Sequence, residues 1–186
     1  MTAEAVFVRD GETYRPTEWS EGPWGPDAVQ GSATGALLAG ILERLPSPYP
    51  AVLSRLAFDL WRPVDRRPMT PAVTVLREGR RARTVEASLL QDGQAVIRCT
   101  ALFLRADPAS IPPWTEAAAA APGPDAGRPV PERAKVWSPF FGGVDTRVID
   151  GDLLAPGPAT VWFRLVRPLV AGEETSAIAQ AVSAAD

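Results

Sequence analysis

The longest apolar stretch of this chain lies between residues 32 and 45. Its small and apolar residues leave no broad polar face before Glu43 and Arg44, which is typical of a helix buried on all sides. Pro46 predicts the end of the helix. Small residues recur four positions apart within it, and such pairs are expected to let neighbouring strands approach the helix axis closely: Gly35 with Ala39, and Ala36 with Gly40.

Residues on both sides of this helix alternate between apolar and polar, the period of a half-buried strand. Two short strands, 5–8 and 13–16, are predicted before the helix around an Asp10-Gly11 turn. Longer runs follow it, and the last two flank Asp92-Gly93, a strong hairpin signal. These later runs cover residues 56–60, 73–76, 84–89 and 95–103. Because their apolar face needs a cover, we expect an α+β fold in which an antiparallel sheet is wrapped around the central helix.

Proline divides the chain into three parts. Seven prolines fall within residues 108–131, which indicates a linker between an N-terminal domain, 1–107, and a second segment, 132–186. In the second segment, 140–149 and 159–167 are predicted strands, and Thr175 or Ser176 is expected to cap a helix over 177–185. Two strands are too few to bury that helix, so we expect an incomplete second unit and a fragment of a longer protein.

Composition excludes several functional classes. The chain has no histidine, which excludes Ser-His-Asp and Cys-His catalysis and imidazole metal sites, and no acidic cluster has the spacing of metal ligands. A net charge of −3 and the absence of a long apolar run indicate neither nucleic-acid nor membrane binding. One cysteine, Cys99, on the apolar face of a strand, and the lack of a secretory signal favour the cytoplasm.

The start of the buried helix holds the candidate chemistry. The first N–H groups of a helix have no intrahelical partners, and together with the helix dipole they would stabilise a carbonyl oxygen that becomes an oxyanion. Gly31 allows close approach to them, and Gln30 is placed to hold a water or a thioester oxygen. The simpler interpretation is that Gly31 and Ser32 only begin the helix, with Ser32 as its N-cap.

The order of these motifs resembles that of the TesB-type acyl-CoA thioesterases, whose chains carry two hotdog units. The resemblance rests on four stretches taken in sequence: Val29-Gln30-Gly31 before the helix, residues 58–64, residues 85–93, and residues 162–165 with 168–173. It implies a hotdog fold with an incomplete second hotdog unit, a bacterial enzyme of lipid metabolism, and a homo-oligomer formed through the sheets. It also implies an acyl-CoA substrate, hydrolysed by water without a covalent intermediate and without a cofactor.

The same resemblance implies the catalytic residue, and the local pattern at the helix start supplies the other candidates. Asp186 matches the aspartate that orients the attacking water, and its glutamine and hydroxyl partners would lie beyond residue 186. Gln30, Gly31 and Trp24 would form the oxyanion and substrate-binding site, although Trp24 would equally pack over the helix end and Asp186 would equally be a solvated chain end. A non-catalytic acyl-thioester-binding or assembly module is the main alternative. A hydratase or dehydratase is disfavoured because its histidine is missing.

Overall fold

The apolar stretch after Gln30 forms the buried helix at the centre of the fold. In a computed structural model, which describes residues 5–106, 122–130 and 138–185, helix α1 spans Gly31–Glu43. Ten of its residues are buried, among them Leu37, Leu38 and Leu42. Burial of each leucine contributes about 1.5–3 kcal/mol relative to an exposed position. The predicted helix is confirmed, with ends that differ by one or two residues.

A four-stranded antiparallel sheet covers α1, in the order β3-β6-β5-β4. On β5 and β6 every second side chain is buried against the helix, including Val85, Ala87 and Ile97. Asp92 and Gly93 join these two strands with φ values of 49° and 75°, as a two-residue hairpin of the primed type requires. The strands are β3 Ala51–Leu60, β4 Thr70–Glu78, β5 Ala82–Gln91 and β6 Gln94–Arg105. The α+β, antiparallel architecture is therefore as predicted.

Two smaller sheets flank this unit. Strands β1, Phe7–Asp10, and β2, Thr13–Pro16, form the predicted hairpin, but β1 begins two residues later than predicted and the turn is Gly11-Glu12 rather than Asp10-Gly11. A three-stranded sheet has the order β7-β8-β9. Its strands are β7 Arg128–Pro129, β8 Val144–Asp150 and β9 Thr160–Leu165. Strand β7 falls in the predicted linker, of which 107–121 and residue 131 lie outside the described residues, so the domain boundaries stay a prediction.

The predicted strand 140–149 was wrong at its start. Phe140 and Phe141 lie in a short helix, α2, which spans Pro139–Gly142. Ser138 caps this helix by accepting a hydrogen bond from the Phe141 N–H, and Pro139 occupies a first helical position, where its missing N–H costs nothing. Local capping therefore outweighs the apolar pattern, and β8 begins only at Val144.

A third helix, α3, spans Ala177–Val182 and packs against α1. Ser176 is its N-cap and accepts from the Ala179 N–H at 3.2 Å. A Cβ placed on Gly35 would lie 3.2 Å from Val182 Cγ1, and one on Gly40 would lie 3.9 Å from Ala179 Cβ, so the two helices run antiparallel. The small residues of α1 thus allow close approach of a helix as well as of strands. Helix α3, which was expected to remain uncovered in the incomplete second unit, is covered on one side by α1.

Backbone pairing also joins the two parts of the chain. The Phe7 N–H donates to the Leu169 carbonyl at 2.9 Å, and the Ala171 N–H donates to the Phe7 carbonyl at 2.9 Å. The Arg167 guanidinium lies 3.5 Å from the centre of the Trp19 ring. The residues after 138 therefore share a core with α1 and its sheet. None of the helices in the described segments is long and apolar enough to cross a membrane.

Candidate functional site

An open groove of about 360 Å³ lies at the N-terminal end of α1. This volume falls in the range of small-molecule sites, about 300–1,000 Å³. One wall is the loop that enters the helix, and the other is the segment that follows β3. The lining side chains that the argument uses are Trp24, Gly31, Leu60, Trp61, Arg62 and Val64.

A backbone hydrogen bond and an ion pair hold the entry loop against the opposite wall. Its turn uses Gly25 and Asp27, with φ values of 138° and 66°. The Val29 N–H donates to the Val64 carbonyl at 2.8 Å, and Arg66 donates to the Asp27 carboxylate at 2.6 Å. The hydrogen bond to Asp27 raises the pKa of Arg66. These contacts hold the entry loop beside the segment that follows β3.

The helix begins at Gly31, with Gln30 as N-cap. The Gln30 carbonyl accepts from the Ala33 and Thr34 N–H groups at 3.2 and 3.3 Å, which places the cap at Gln30. The expectation that Ser32 is the cap was therefore wrong, since Ser32 lies inside the first turn. No hydrogen bond from the Gly31 N–H is found within the described segments, and Gly31 lines the groove. The positive end of the helix dipole is thus presented to the groove.

Gln30 is buried behind the groove rather than along it. Its side chain is 4% exposed, and a Cβ on Gly22 would lie 2.7 Å from Gln30 Oε1. Its N–H donates to the Ser20 carbonyl at 2.8 Å. The structure therefore brings two of the predicted residues, Trp24 and Gly31, together in the groove lining and places Gln30 beside them, against the preceding loop.

Two tryptophans line the groove. Trp24 is 79% exposed and Trp61 is 51% exposed, so both rings offer apolar surface to a molecule that enters the groove. The Arg98 guanidinium lies 4.8 Å from the centre of the Trp61 ring and forms an ion pair with Asp59 at 2.8 Å. The sequence analysis did not single out Trp61, although its motif, 58–64, was part of the resemblance.

A smaller apolar cleft of about 50 Å³ lies beside the groove. The groove and the cleft share Gly31 and Leu60. Ala185, the last described residue, also lines the cleft. Asp186, the predicted catalytic residue, lies outside the described residues.

Gln91 supports the wall that follows β3, a role that no local sequence pattern indicates. It is 3% exposed, and its Nε2 donates to the Asp65 carbonyl at 2.9 Å and to the Arg67 carbonyl at 3.0 Å. A third contact, at 3.2 Å, reaches the Asp65 carboxylate. Hydrogen bonding from Arg67 lowers the pKa of Asp65, and that interaction raises the pKa of Arg67 in turn. The buried amide therefore anchors residues 65–67, directly beside the lining residue Val64.

Cys99 does not line this groove. Cys99 is fully buried in the core, as predicted, and burial raises the pKa of its thiol to about 12. Within residues 5–106, 122–130 and 138–185, no three carboxylate or thiol side chains come close enough together to bind a metal ion.

The family model for the acyl-CoA thioesterase N-terminal domain matches residues 20–104. A search of curated proteins gave no match. Among solved structures, a hotdog-fold protein of unknown function from Alicyclobacillus acidocaldarius has a TM-score of 0.63 and 17% identity, over 85% of this chain and 59% of that one. An acyl-CoA thioesterase II, TesB2, from Mycobacterium marinum has a TM-score of 0.53 and 22% identity, over 95% and 62%.

A TesB protein from Mycobacterium avium subspecies paratuberculosis has a TM-score of 0.51 and 16% identity, over 96% of this chain and 64% of that one. The chain thus spans about three fifths of the length of these relatives. The likeness to these solved structures shows the hotdog fold, and the family model matches residues 20–104 to the acyl-CoA thioesterase N-terminal domain. The resemblance drawn from the sequence is confirmed to this extent: residues 20–104 match the acyl-CoA thioesterase N-terminal domain, and the chain has a hotdog fold that is similar to that of TesB-type proteins.

Proposed function

We propose that the protein carrying this chain hydrolyses fatty acyl-CoA or a related acyl thioester by direct attack of water, without a covalent intermediate or a cofactor. The observation that carries the proposal is the groove at the start of α1, which Gly31 lines together with apolar side chains. A thioester carbonyl placed there meets a hydrogen-bond donor and the positive end of a helix dipole. Both stabilise the negative charge that develops on the oxygen during attack.

The acyl and thioester parts of the substrate fit the chemistry of the groove walls. Trp24 and Trp61 offer apolar surface in the groove, and Gly31 has no side chain to keep a carbonyl away from the helix. Gln30 remains a proposed contact for the reacting water or oxygen, which its side chain would reach only by turning from the preceding loop towards the groove. A thioester is reactive enough that an oriented water and an oxyanion site suffice for hydrolysis.

The base must come from outside the groove lining. No Asp or Glu lines the groove or the cleft in the described part of the chain, and the sequence has no histidine. We propose Asp186 as the residue that orients the water, because Ala185, its neighbour in sequence, lines the cleft next to Gly31. A carboxylate serves as a general base when burial raises its pKa towards neutrality.

The test is release of free CoA from acyl-CoA, detected with a thiol reagent, by this chain and by any longer product of its reading frame. Asp186→Asn is expected to lower the rate about 10²–10⁴-fold, the usual contribution of a general base. Asp152→Asn is the matched control, because Asp152 lies in the turn between β8 and β9 and accepts a hydrogen bond from the Leu154 N–H. Equal rates for the two variants would remove Asp186 from the mechanism.

Measuring the binding of a substrate analogue distinguishes a hydrolase from a non-catalytic binding module. A non-hydrolysable thioether analogue of acyl-CoA should bind the wild type and Asp186→Asn equally well. If the analogue binds and no form of the protein releases CoA, the protein is a non-catalytic acyl-thioester-binding or assembly module. We further propose that the protein is cytoplasmic and that it forms homo-oligomers through its sheets. Size-exclusion chromatography with light scattering measures the oligomeric state directly.

A further inference from the structure

The ring of Trp61 is held beside the groove by an arginine on the neighbouring strand. The Trp61 and Arg62 N–H groups both donate to the Val96 carbonyl, at 3.0 and 3.2 Å, which fixes the backbone at the end of β3. The Trp61 indole N–H makes no hydrogen bond in the described part of the chain. The guanidinium of Arg98, on β6, lies 4.8 Å from the centre of the ring. The position of the indole therefore depends on packing and on this cation–π contact rather than on a hydrogen bond.

Arg98 is itself held by carboxylates on both neighbouring strands. Asp59, its direct partner on β3, accepts from Arg98 Nε and Nη2 at 3.1 and 2.8 Å. Glu86, on β5, lies 3.6 Å from Arg98 Nη1. Each nitrogen of the guanidinium thus has a carboxylate beside it, which restricts the orientation of this planar group. The indole ring of Trp61 therefore lies over a cation that the sheet holds in place.

We propose that Arg98 is a positioning residue, which holds the Trp61 ring as a wall of the groove and thereby strengthens ligand binding. The inference rests on the proposed function, since it takes the groove to be the place where the acyl thioester binds. Trp61 lines the groove, whereas Arg98 and its two carboxylate partners do not. Arg98 therefore acts on a bound molecule only through the ring of Trp61.

The size of the effect follows from the order of the ring. A tryptophan that is half exposed and has no cation beneath it samples several rotamers, and a ligand that packs against it must select one of them. A cation–π contact at an exposed site favours one arrangement by about two- to fivefold. Because a wall that is ordered in advance requires no ordering on binding, the affinity of a ligand in contact with Trp61 should change by the same factor.

Arg164 provides a matched control on the second sheet. Arg98→Met removes the charge of Arg98 and keeps a long side chain. Arg164, on β9, is the direct cross-strand partner of Asp145, on β8, and the two form an ion pair at 3.3 Å. Neither of them lines the groove. Arg98→Met and Arg164→Met each remove one cross-strand ion pair with an aspartate, and they differ in whether a tryptophan of the groove loses its cation.

The test is a double-mutant cycle on the affinity for a straight-chain acyl-CoA thioether, measured by isothermal titration calorimetry. Arg98→Met should bind about two- to fivefold more weakly than the wild type, and Arg164→Met should bind like the wild type. Trp61→Leu should also weaken binding, and the double variant should bind no more weakly than Trp61→Leu alone, because Arg98 acts through the ring. Arg98→Lys, which keeps a positive charge, should recover part of the affinity.

A second measurement reports the position of the ring directly. In protein labelled with 5-fluorotryptophan, the ¹⁹F signal of Trp61 is identified by its loss in Trp61→Leu. This signal should shift or broaden in Arg98→Met, because the ring loses the cation beneath it, and should stay unchanged in Arg164→Met.

The outcomes distinguish this inference from the function on which it rests. Failure of the wild type to bind the thioether would overturn both. If the wild type binds, equal affinities of Arg98→Met and Arg164→Met would overturn the inference alone, as would additive losses in the double variant or an unmoved Trp61 signal in Arg98→Met. Thermal unfolding of each variant establishes that it is folded, and the same cycle with Arg98→Lys decides the question if Arg98→Met does not fold.

Discussion

Replacing Gln91 with methionine tests whether a buried amide holds one wall of the groove in place. Methionine has nearly the same length and volume but no hydrogen-bond donor. The variant loses the contacts from Gln91 Nε2 to the Asp65 and Arg67 carbonyls, at 2.9 and 3.0 Å, and the longer contact with the Asp65 carboxylate, at 3.2 Å. Two carbonyls next to the lining residue Val64 then lack their partner.

The expected loss of stability follows from these contacts. Two neutral hydrogen bonds contribute about 1 kcal/mol each. Gln91 Oε1 is buried and has no hydrogen-bond partner in the described part of the chain, so its removal recovers part of that cost. The net loss should be about 1–2 kcal/mol, which lowers the melting temperature of a chain of this size by roughly 2–8 °C.

Ligand binding should respond as well. A loosened segment 65–67 must be ordered when ligand binds, and an ordering cost of about 1 kcal/mol weakens binding of an acyl-CoA thioether roughly fivefold. Gln180→Met is the matched control. Gln180 exchanges two hydrogen bonds with the Leu165 backbone, at 2.9 and 3.0 Å, and lines neither the groove nor the cleft. It should lose at least as much stability without a change in affinity.

Comparison of Gln91→Met with Gln180→Met shows whether Gln91 has a specific role in ligand binding. Differential scanning fluorimetry gives the melting temperatures, and fluorescence titration gives the affinities. If Gln91→Met melts at the wild-type temperature, the amide does not support the fold as argued. If both variants weaken binding equally, the effect is one of general stability and the wall has no special role.

Three further predictions concern burial and charge. Cys99 should resist a thiol reagent at neutral pH in the folded protein and react after unfolding in urea, because burial raises its thiol pKa to about 12; rapid labelling of native protein would contradict this. The pKa of Asp65 is lowered in the folded state, so its stabilising contribution is present above the ordinary value of 3.8 and is lost as pH falls through the lowered value. Asp65→Asn should therefore flatten the loss of stability below about pH 4 seen in urea unfolding, and an unchanged profile would contradict the assignment. Phe140→Ala should cost about 3–5 kcal/mol, since Phe140 is 1% exposed, and a loss under 1 kcal/mol in urea unfolding would show that the ring is not in the core.

The elements that followed from sequence are those in which a single local signal dominates. The helix after Gln30 is apolar on all sides, and Asp92-Gly93 has the residue types that a two-residue turn with positive φ requires. Both were predicted nearly to the residue. Phe140 and Phe141 were misplaced because an apolar pair fits a strand or a helical turn equally well, and the Ser138 cap decides between them.

The candidate site was harder to predict because its parts are distant in sequence. Trp24 and Gly31 share a local motif, which pointed to the helix start, but Trp61 reaches the same groove from the end of β3. Gln91 belongs to a hairpin, and its contact with residues 65–67 exists only in the folded chain. The pairing of Gly35 with Val182 depends on how α3 packs against α1, which no short-range pattern encodes.

The central claim is that the start of α1 binds the thioester. The most direct measurement is a ¹⁵N–¹H correlation spectrum of the labelled chain, titrated with an acyl-CoA thioether. The account predicts that the largest shifts fall on the Gly31 amide and on the indole N–H groups of Trp24 and Trp61. Shifts confined to strands β7–β9, with those three signals unmoved, would contradict it.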